Sequence, residues 1–203
     1  MAQAFARKKG RIVGRLDSEE IAVVLQLLRL TKDFVAPEHE DTGDPLMDLI
    51  AGLGESDAQP QEPVDPALLR LLPPAHRTDD AQAAEFRALT EHSVRQRKTR
   101  TLASAIEALA HADPPSISWD QTQAQTVMVA LTDVRLILGE RLGLRTDEDS
   151  TALHEEMFEA LHSKGPETDE QRPAQEQARM QQMAYYDFLS WLQESIALSL
   201  LGE

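Results

Sequence analysis

Apolar and polar positions alternate at the start of the chain and then recur with helical spacing along most of its length. In "AFARKKGRIVGRLD", apolar and basic residues alternate on both sides of Lys9 and Gly10. This pattern predicts two antiparallel strands joined by a tight turn at those two residues. Because a two-stranded ribbon is only marginally stable, we expect the hairpin to pack on helices.

A first helix is predicted from about residue 18 to 35, because Asp17 is a good N-cap and Glu20 stands at the capping-box position. The apolar residues that follow have the spacing of one broad helix face. They are Ile21, Val24, Leu25, Leu27, Leu28 and Phe34.

Residues 36–64 are rich in proline, glycine and acidic residues. Within them "DPLMDLIAGL" has the pattern of a short helix with proline in its first turn, and "DPALLRLLPP" at 65–74 repeats that design. The intervening "GESDAQPQEPV" is expected to be a mobile linker.

Two long helical patterns follow the short ones. The first covers about residues 80–111 and ends at "DPPS". The second lies in "SWDQTQAQTVMVALTDVRLILGERLGL", with Ser118 as the predicted N-cap and Gln121 at the box position. It is the most apolar helix and is expected to be central.

Two more helices complete the prediction. "TDEDSTALHEEMFEALHSKGP" has helical spacing and is closed by Gly165 and Pro166. "ARMQQMAYYDFLSWLQESIALSLL" is apolar almost all round its axis, which predicts a buried helix.

The predicted fold class is therefore mainly α, a helical bundle with a small N-terminal β-hairpin, in a single domain over 1–203. Its parts are the hairpin at 1–16, a helix at 17–36, an acidic flexible segment at 37–64 and the bundle core at 65–203.

The composition agrees with this fold, since 41 % of the 203 residues are hydrophobic but only 4 % are aromatic. An aliphatic core of this kind favours helices over sheets. No apolar run approaches the roughly 18 residues that span a bilayer, and no apolar stretch follows the basic N-terminus as in a signal peptide. With no cysteine, disulfides and thiolates are excluded. We expect a cytoplasmic protein without membrane contact.

The formal charge of −15 opposes DNA binding by the whole surface, because like charge repels the phosphate backbone. Positive charge is nevertheless concentrated in two short segments that hold half of the 20 bases. These bases are Arg7, Lys8, Lys9, Arg11 and Arg15 in the first segment, and Arg87, Arg95, Arg97, Lys98 and Arg100 in the second.

The second basic segment does not form one stripe on a straight helix. Measured from Phe86 with about 100° per residue, the directions are about 180° for Arg95, 20° for Arg97, 120° for Lys98 and 320° for Arg100. Two interpretations stay open: a solvated or salt-bridged helix, and a contact with DNA or an acidic protein. The candidate contact residues are Lys8, Lys9, Arg11, Arg95, Arg97, Lys98 and Arg100.

Two arginines of the central helix lie in or beside its apolar stripe. Arg135 falls about 40° from Leu131, inside the stripe, and Arg141 falls at its edge. Because a buried guanidinium needs a partner, we predict buried structural ion pairs with Asp187 and Glu194 of the last helix. A ligand-anion site made by Arg135 and Arg141 is the alternative.

Potential metal ligands cluster at residues 154–162, where Glu155, Glu159 and His162 have i, i+4, i+7 spacing. Neither a His-Glu-x-x-His motif nor a second Glu-x-x-His helix accompanies them, so a solvated face is predicted. The glycines form no phosphate loop, and "GES" at 54–56 is not a nucleophile elbow. We predict no catalytic residue, metal or cofactor, and hence no enzyme.

Several stretches together resemble the actinobacterial family DUF2017, which includes the AosR-like redox regulators of oxidative stress. They are "DPALLRLLPPAHRTDDAQAAEFRALTEHSVRQRK", "LTDVRLILGERLG" and "YDFLSWLQESIALSLL". The likeness runs from "GRIVGRLDSEE" to the C-terminus. Members of that family tend to be encoded beside the protease adaptor ClpS and are described as candidate transcriptional regulators.

The resemblance implies a regulator that contacts DNA or a sigma factor. It also implies that the shared Asp133, Arg135, Arg141 and Glu194 are mainly structural. The redox interpretation of the family depends on a closely spaced cysteine pair, which this chain lacks, so a disulfide switch does not carry over. An oxidant response here would need methionine oxidation or the thiols of a partner.

The leading hypothesis is a non-enzymatic cytoplasmic regulatory protein that acts on transcription. It would contact DNA or an acidic protein, such as a sigma factor or another RNA polymerase component. The alternative is a protein-interaction adaptor linked to the proteolytic machinery, without DNA binding.

Overall fold

The computed structural model describes residues 2–37, 62–76, 78–162 and 173–202, without the side chains of residues 147, 154, 157 and 159–162. Within these ranges the chain is mainly helical and carries one small sheet, which confirms the predicted fold class. In chain order the elements are β1 (Gln3–Lys8), β2 (Arg11–Arg15), α1 (Ser18–Val35), α2 (Pro66–Leu71), α3 (Asp80–Ala110), β3 (Ser116–Trp119), α4 (Gln121–Leu142), α5 (Asp147–His162) and α6 (Ala174–Leu201).

The start of α1 has the predicted capping box. The Asp17 carboxylate accepts from the backbone N–H of Glu20, and the Glu20 carboxylate accepts from the N–H of Asp17. The other oxygen of Glu20 accepts from the N–H of Ala2 at 2.8 Å. The carboxylate of Glu20 therefore completes the capping box of α1 and also holds the chain in place just before β1.

The "DPALLRLLPP" stretch forms α2, with Asp65 as its N-cap and Pro66 in its first turn. Asp79 caps α3, which ends within one residue of the predicted position. The short helix expected in "DPLMDLIAGL", most of the linker after it, and the end expected at Gly165 and Pro166 lie outside the described residues.

The hairpin is part of a three-stranded antiparallel sheet in the order β1-β2-β3. The predicted turn is present: Lys9 and Gly10 join the first two strands, with φ of 51° and 79°. The third strand was not predicted. The sequence pattern places its last two residues, Ser118 and Trp119, at the start of the following helix, whereas Ile117 and Trp119 are buried in the sheet and their serine neighbours are exposed.

The predicted cap of α4 is wrong by two residues. Asp120, not Ser118, is the N-cap, and Gln123, not Gln121, completes the capping box. Asp120 directly follows β3 and still has an extended backbone, and its carboxylate accepts from a free N–H group in the first turn of α4.

The sheet is joined to the helices by its buried apolar side chains and by two hydrogen bonds, one buried and one partly buried. The rings of Phe5 and Trp119 stack with centroids 4.9 Å apart. The N–H of Phe5 donates to Oγ of Ser195 on α6, and Nε1 of Trp119 donates to the carbonyl of Ala108 on α3. The inner face of the sheet therefore continues the main apolar core.

Helix α6 is buried along one side only, so the prediction of an almost fully buried helix is wrong. Its outer side is exposed at Asp187 and Glu194, and Leu198 is 41 % exposed. Its buried residues are Met183, Leu189, Leu192, Ser195, Ile196 and Ser199. In the described part of the chain, no helix combines the length and apolar character that crossing a membrane requires.

Gly14 of β2 offers a direct test of the aromatic packing, because a Cβ at this position would lie 2.7 Å from the Phe5 ring. We expect Gly14→Ala to lower the free energy of unfolding by about 1–3 kcal/mol through overpacking, measured by urea denaturation. In a Phe5→Leu background the same substitution should cost less. An equal cost in both backgrounds would show that the ring is not what opposes the added methyl group.

Candidate partner-binding surface

Most bases of the second basic segment are neutralised by the protein's own acids. Glu91 on α3 accepts from two arginines on the same helix, four residues before and four residues after it. Its Oε2 lies 3.0 Å from Nη1 of Arg87, and its Oε1 lies 2.7 Å from Nη2 of Arg95. Both arginines are at most 9 % exposed.

The same two arginines bind the C-terminal ends of neighbouring helices. Arg87 donates to the carbonyl of Leu72, the C-cap residue of α2. Arg95 donates to the carbonyls of Val35 and Ala36 at the end of α1. A cation placed there satisfies free carbonyl groups and the negative end of each helix dipole.

Lys98 forms the third internal ion pair of this segment. Its Nζ lies 2.7 Å from Oδ1 of Asp133 on α4, and Asp133 is 4 % exposed. Arg97 and Arg100 are exposed, and Arg100 donates to the side chain of Gln96. The salt-bridged interpretation therefore describes Arg95 and Lys98, and a contact of these two residues with DNA or an acidic protein stays a prediction.

The bases of the hairpin differ, since all five side chains are exposed. We define the basic sheet surface by these residues: Arg7, Lys8, Lys9, Arg11 and Arg15. No acidic residue occurs between Ala2 and Leu16. Positive charge is therefore uninterrupted along this part of the chain.

Strand register places three of these bases on the solvent face of the sheet. Lys8 is opposite Arg11, and Arg15 is opposite Ser116, in the same alternation as the pair Val13 and Ser118. The guanidinium of Arg11 donates to Oγ and to the carbonyl of Ser118, both at 2.7 Å, and so lies across β3.

The middle of that face is a shallow depression of about 340 Å³, lined mostly by small side chains. These include Ala4, Ala6, Val13, Ser116 and Ser118. Because they are short, the backbone of a partner can come close while the long basic side chains reach over it.

The ion pairs predicted within α4 and α6 are wrong in their partners and in their burial. Arg141 is exposed and pairs with Asp65 at 2.5 Å, which joins the end of α4 to the start of α2. The hydrogen bonds of Arg135 go to two neutral groups of α6, Oε1 of Gln193 at 2.6 Å and the hydroxyl of Tyr186 at 3.4 Å. Asp187 and Glu194 are exposed.

Arginines also lower the pKa of several carboxyl groups. The hydrogen bond from Arg141 lowers the pKa of Asp65. The pKa of Glu140 is lowered first by Arg70, at 2.8 Å, and then by Arg145, at 3.1 Å. These pairs connect α4 with α2 and with the start of α5.

The acidic and histidine cluster of α5 is only partly described. Both oxygens of Glu156 accept from Arg179 of α6, at 3.0 and 2.8 Å, which lowers the pKa of Glu156. The side chains of His154, Glu159 and His162 lie outside the described residues. Elsewhere in the described chain, no group of three or more potential metal ligands is present.

The sequence contained a local signal for one internal network, since Arg87, Glu91 and Arg95 are spaced at i, i+4 on a predicted helix. The pair of Lys98 with Asp133 spans 35 residues, and no local pattern indicates it.

One family model, described as a domain of unknown function (DUF2017), matches residues 2–200. The chain belongs to the DUF2017 family. The DUF2017 match takes in the basic sheet surface, the internal ion pairs of α3 and nearly all of α6. No curated protein and no solved structure matches the chain significantly.

The shared carboxylate of Glu91 can be tested by Glu91→Gln, which keeps the shape but removes the charge between two buried arginines. We expect the free energy of unfolding to fall by about 3 kcal/mol, because both guanidinium groups lose their counter-charge. Glu85→Gln, an exposed change on the same helix, is the control. If urea denaturation shows the same small loss of stability for Glu91→Gln and Glu85→Gln, Glu91 does not stabilise the two arginines as described.

Glu140 should contribute to the pH dependence of stability. Its folded pKa lies below the ordinary value of 4.5, so its contribution is complete above that pH and is lost as the pH falls through the lower folded pKa. In urea denaturation at a series of pH values, wild type should lose more stability on acidification than Glu140→Gln. Glu107→Gln, an exposed change, controls for the loss of a carboxylate. Parallel curves for wild type and Glu140→Gln would contradict the expectation.

Proposed function

We propose that this protein is a non-enzymatic regulator of transcription that docks through its basic sheet surface. The partner is DNA or an acidic protein surface, such as that of a sigma factor or another RNA polymerase component. The observation that carries the proposal is the contrast between the two basic segments. Three of the five bases of the second basic segment, Arg87, Arg95 and Lys98, form internal ion pairs. All five bases of the basic sheet surface are exposed.

The distribution of charge supports docking in one orientation. Five bases and no acids lie on the hairpin, while the other 15 Lys and Arg are outnumbered by 35 Asp and Glu. A negatively charged partner is therefore attracted to the sheet and repelled by the rest of the surface. At physiological salt this repulsion is screened beyond about 8 Å, so it acts mainly on groups close to the body of the protein.

The spacing of the bases suits contact with several charges. Arg11 and Arg15 are four residues apart on one strand, which separates their Cα atoms by about 13 Å. Lys8 lies opposite Arg11, so positive charge covers both strands of the hairpin. Such an arrangement can neutralise more than one phosphate or carboxylate group at a time.

The buried charged residues support a non-catalytic role. Glu91, Asp133 and their basic partners contact helix ends and neighbouring helices, and so stabilise the packing of the bundle. Regulation by contact requires only a stable body and an exposed docking surface.

A triple variant of the sheet tests the proposal against DNA. Three alanine substitutions remove neighbouring bases: Lys8→Ala, Lys9→Ala and Arg11→Ala. If each base contacts a phosphate, affinity for a promoter fragment should fall by at least tenfold at low salt. The slope of log K against log salt should decrease in magnitude by about three. Fluorescence anisotropy over a salt series measures both quantities.

The matched control removes three exposed bases from the helices: Arg29→Ala, Arg97→Ala and Arg100→Ala. It changes the net charge equally and should reduce DNA affinity much less. Equal losses in the two triple variants would contradict a local docking surface.

Purified RNA polymerase with its sigma factor provides the protein arm of the test. The wild-type protein and the control variant should capture the polymerase after nuclease treatment, and the sheet variant should not. This result would support a protein contact. If neither promoter DNA nor the polymerase is retained, the transcription proposal fails. Nuclease-resistant capture of a protease component alone would instead support the adaptor alternative.

A further inference from the structure

A cavity of about 160 Å³ lies between α4, α5 and α6, away from the basic sheet surface. One part of its lining is apolar and consists of Leu153 and Met183. Another part carries opposite charges, Arg135 from α4 and Asp187 from α6. The cavity therefore combines a small apolar wall with a cationic and an anionic group.

Arg135 is partly buried but lacks the counter-charge that the buried and partly buried bases of α3 have. Arg87, Arg95 and Lys98 each have a carboxylate within 3.0 Å. In the described part of the chain, the ion pairs do not include Arg135, whose hydrogen bonds go to Gln193 and Tyr186. A partly buried guanidinium without a carboxylate is costly, and an anionic ligand would lower that cost.

Arg135 also has unused donors. A guanidinium carries five N–H groups, and two hydrogen bonds are formed, one of them long at 3.4 Å. Its Nε is buried and has no acceptor. The face of the Tyr186 ring lies 5.2 Å from Cζ and holds the guanidinium in position beside the cavity.

The second charge restricts the class of ligand. Asp187 would repel a phosphate dianion that approached Arg135, but it would attract an ammonium group on the same molecule. A volume of about 160 Å³ is well below the roughly 300 Å³ at which drug-sized pockets begin, so the ligand must be small. Leu153 and Met183 suit an aliphatic group.

From these features we infer that the cavity binds a small aliphatic α-amino acid. Its carboxylate lies toward Arg135, its ammonium group toward Asp187 and its side chain toward Leu153 and Met183. Since Leu153 and Met183 belong to a small apolar cluster separate from the main core, the ligand joins α5 more firmly to α4 and α6. This site is independent of the proposed docking on DNA or polymerase.

Calorimetric titration of the full chain tests the site with three probes: L-valine, 3-methylbutanoate and inorganic phosphate. L-valine should bind saturably at concentrations up to about 10 mM, which corresponds to a binding free energy near −3 kcal/mol or better. 3-Methylbutanoate, which lacks the ammonium group, should bind at least fivefold more weakly, and phosphate should not compete. The inference is overturned if L-valine gives no saturable heat, or if phosphate displaces it.

Two variants separate binding from folding. Arg135→Gln should weaken L-valine binding by at least tenfold, whereas Arg97→Gln, an exposed control, should leave it unchanged. Asp187→Asn alters an exposed residue and should remove the preference for L-valine over 3-methylbutanoate. If Asp187→Asn keeps that preference, or Arg135→Gln binds like wild type, the assigned ligand orientation is wrong.

Discussion

The carboxylate of Glu91 shares its two oxygens between two buried guanidinium groups, and the packing of three helices depends on this arrangement. Arg87 and Arg95 would otherwise be two like charges removed from water on one helix. With Glu91 between them, each is free to donate to the carbonyl groups that end α1 or α2. Helix α3 therefore binds the C-terminal ends of both neighbouring helices.

This use of arginine divides the positive charge of an acidic protein into two populations. One population is internal and includes Lys98, whose pair with Asp133 joins α3 to α4. The other lies on the hairpin, where no acidic residue occurs between Ala2 and Leu16. Clusters of bases that look alike in sequence thus have different surroundings, because helical side chains meet other elements whereas hairpin side chains on the outer face do not.

Several local signals in the sequence predicted the structure correctly, whereas the cap of α4, the strand β3 and the long-range partners of the charged side chains were not predicted. The capping box of Asp17 and Glu20 and the turn at Lys9 and Gly10 were predicted correctly, since each depends on a few consecutive residues. The strand β3 was missed because four residues carry too little alternation to outweigh an adjacent helix start. The position of Arg135 on its helix did not reveal its partners, because angular position says nothing about which side chains of α6 face it.

The sheet is held to the helices by the apolar core that Phe5 and Trp119 enter, by the hydrogen bond from Phe5 to Ser195 and by the hydrogen bond from Trp119 to Ala108. Its backbone is consequently preorganised, and little chain entropy remains to be lost when a partner arrives. What must be ordered on contact is the set of long lysine and arginine side chains, each of which has about 2 kcal/mol of rotamer entropy to lose. Rigid attachment of a small sheet to the helices thus favours fast, reversible recognition, with the side chains rather than the strands adapting to the shape of the partner.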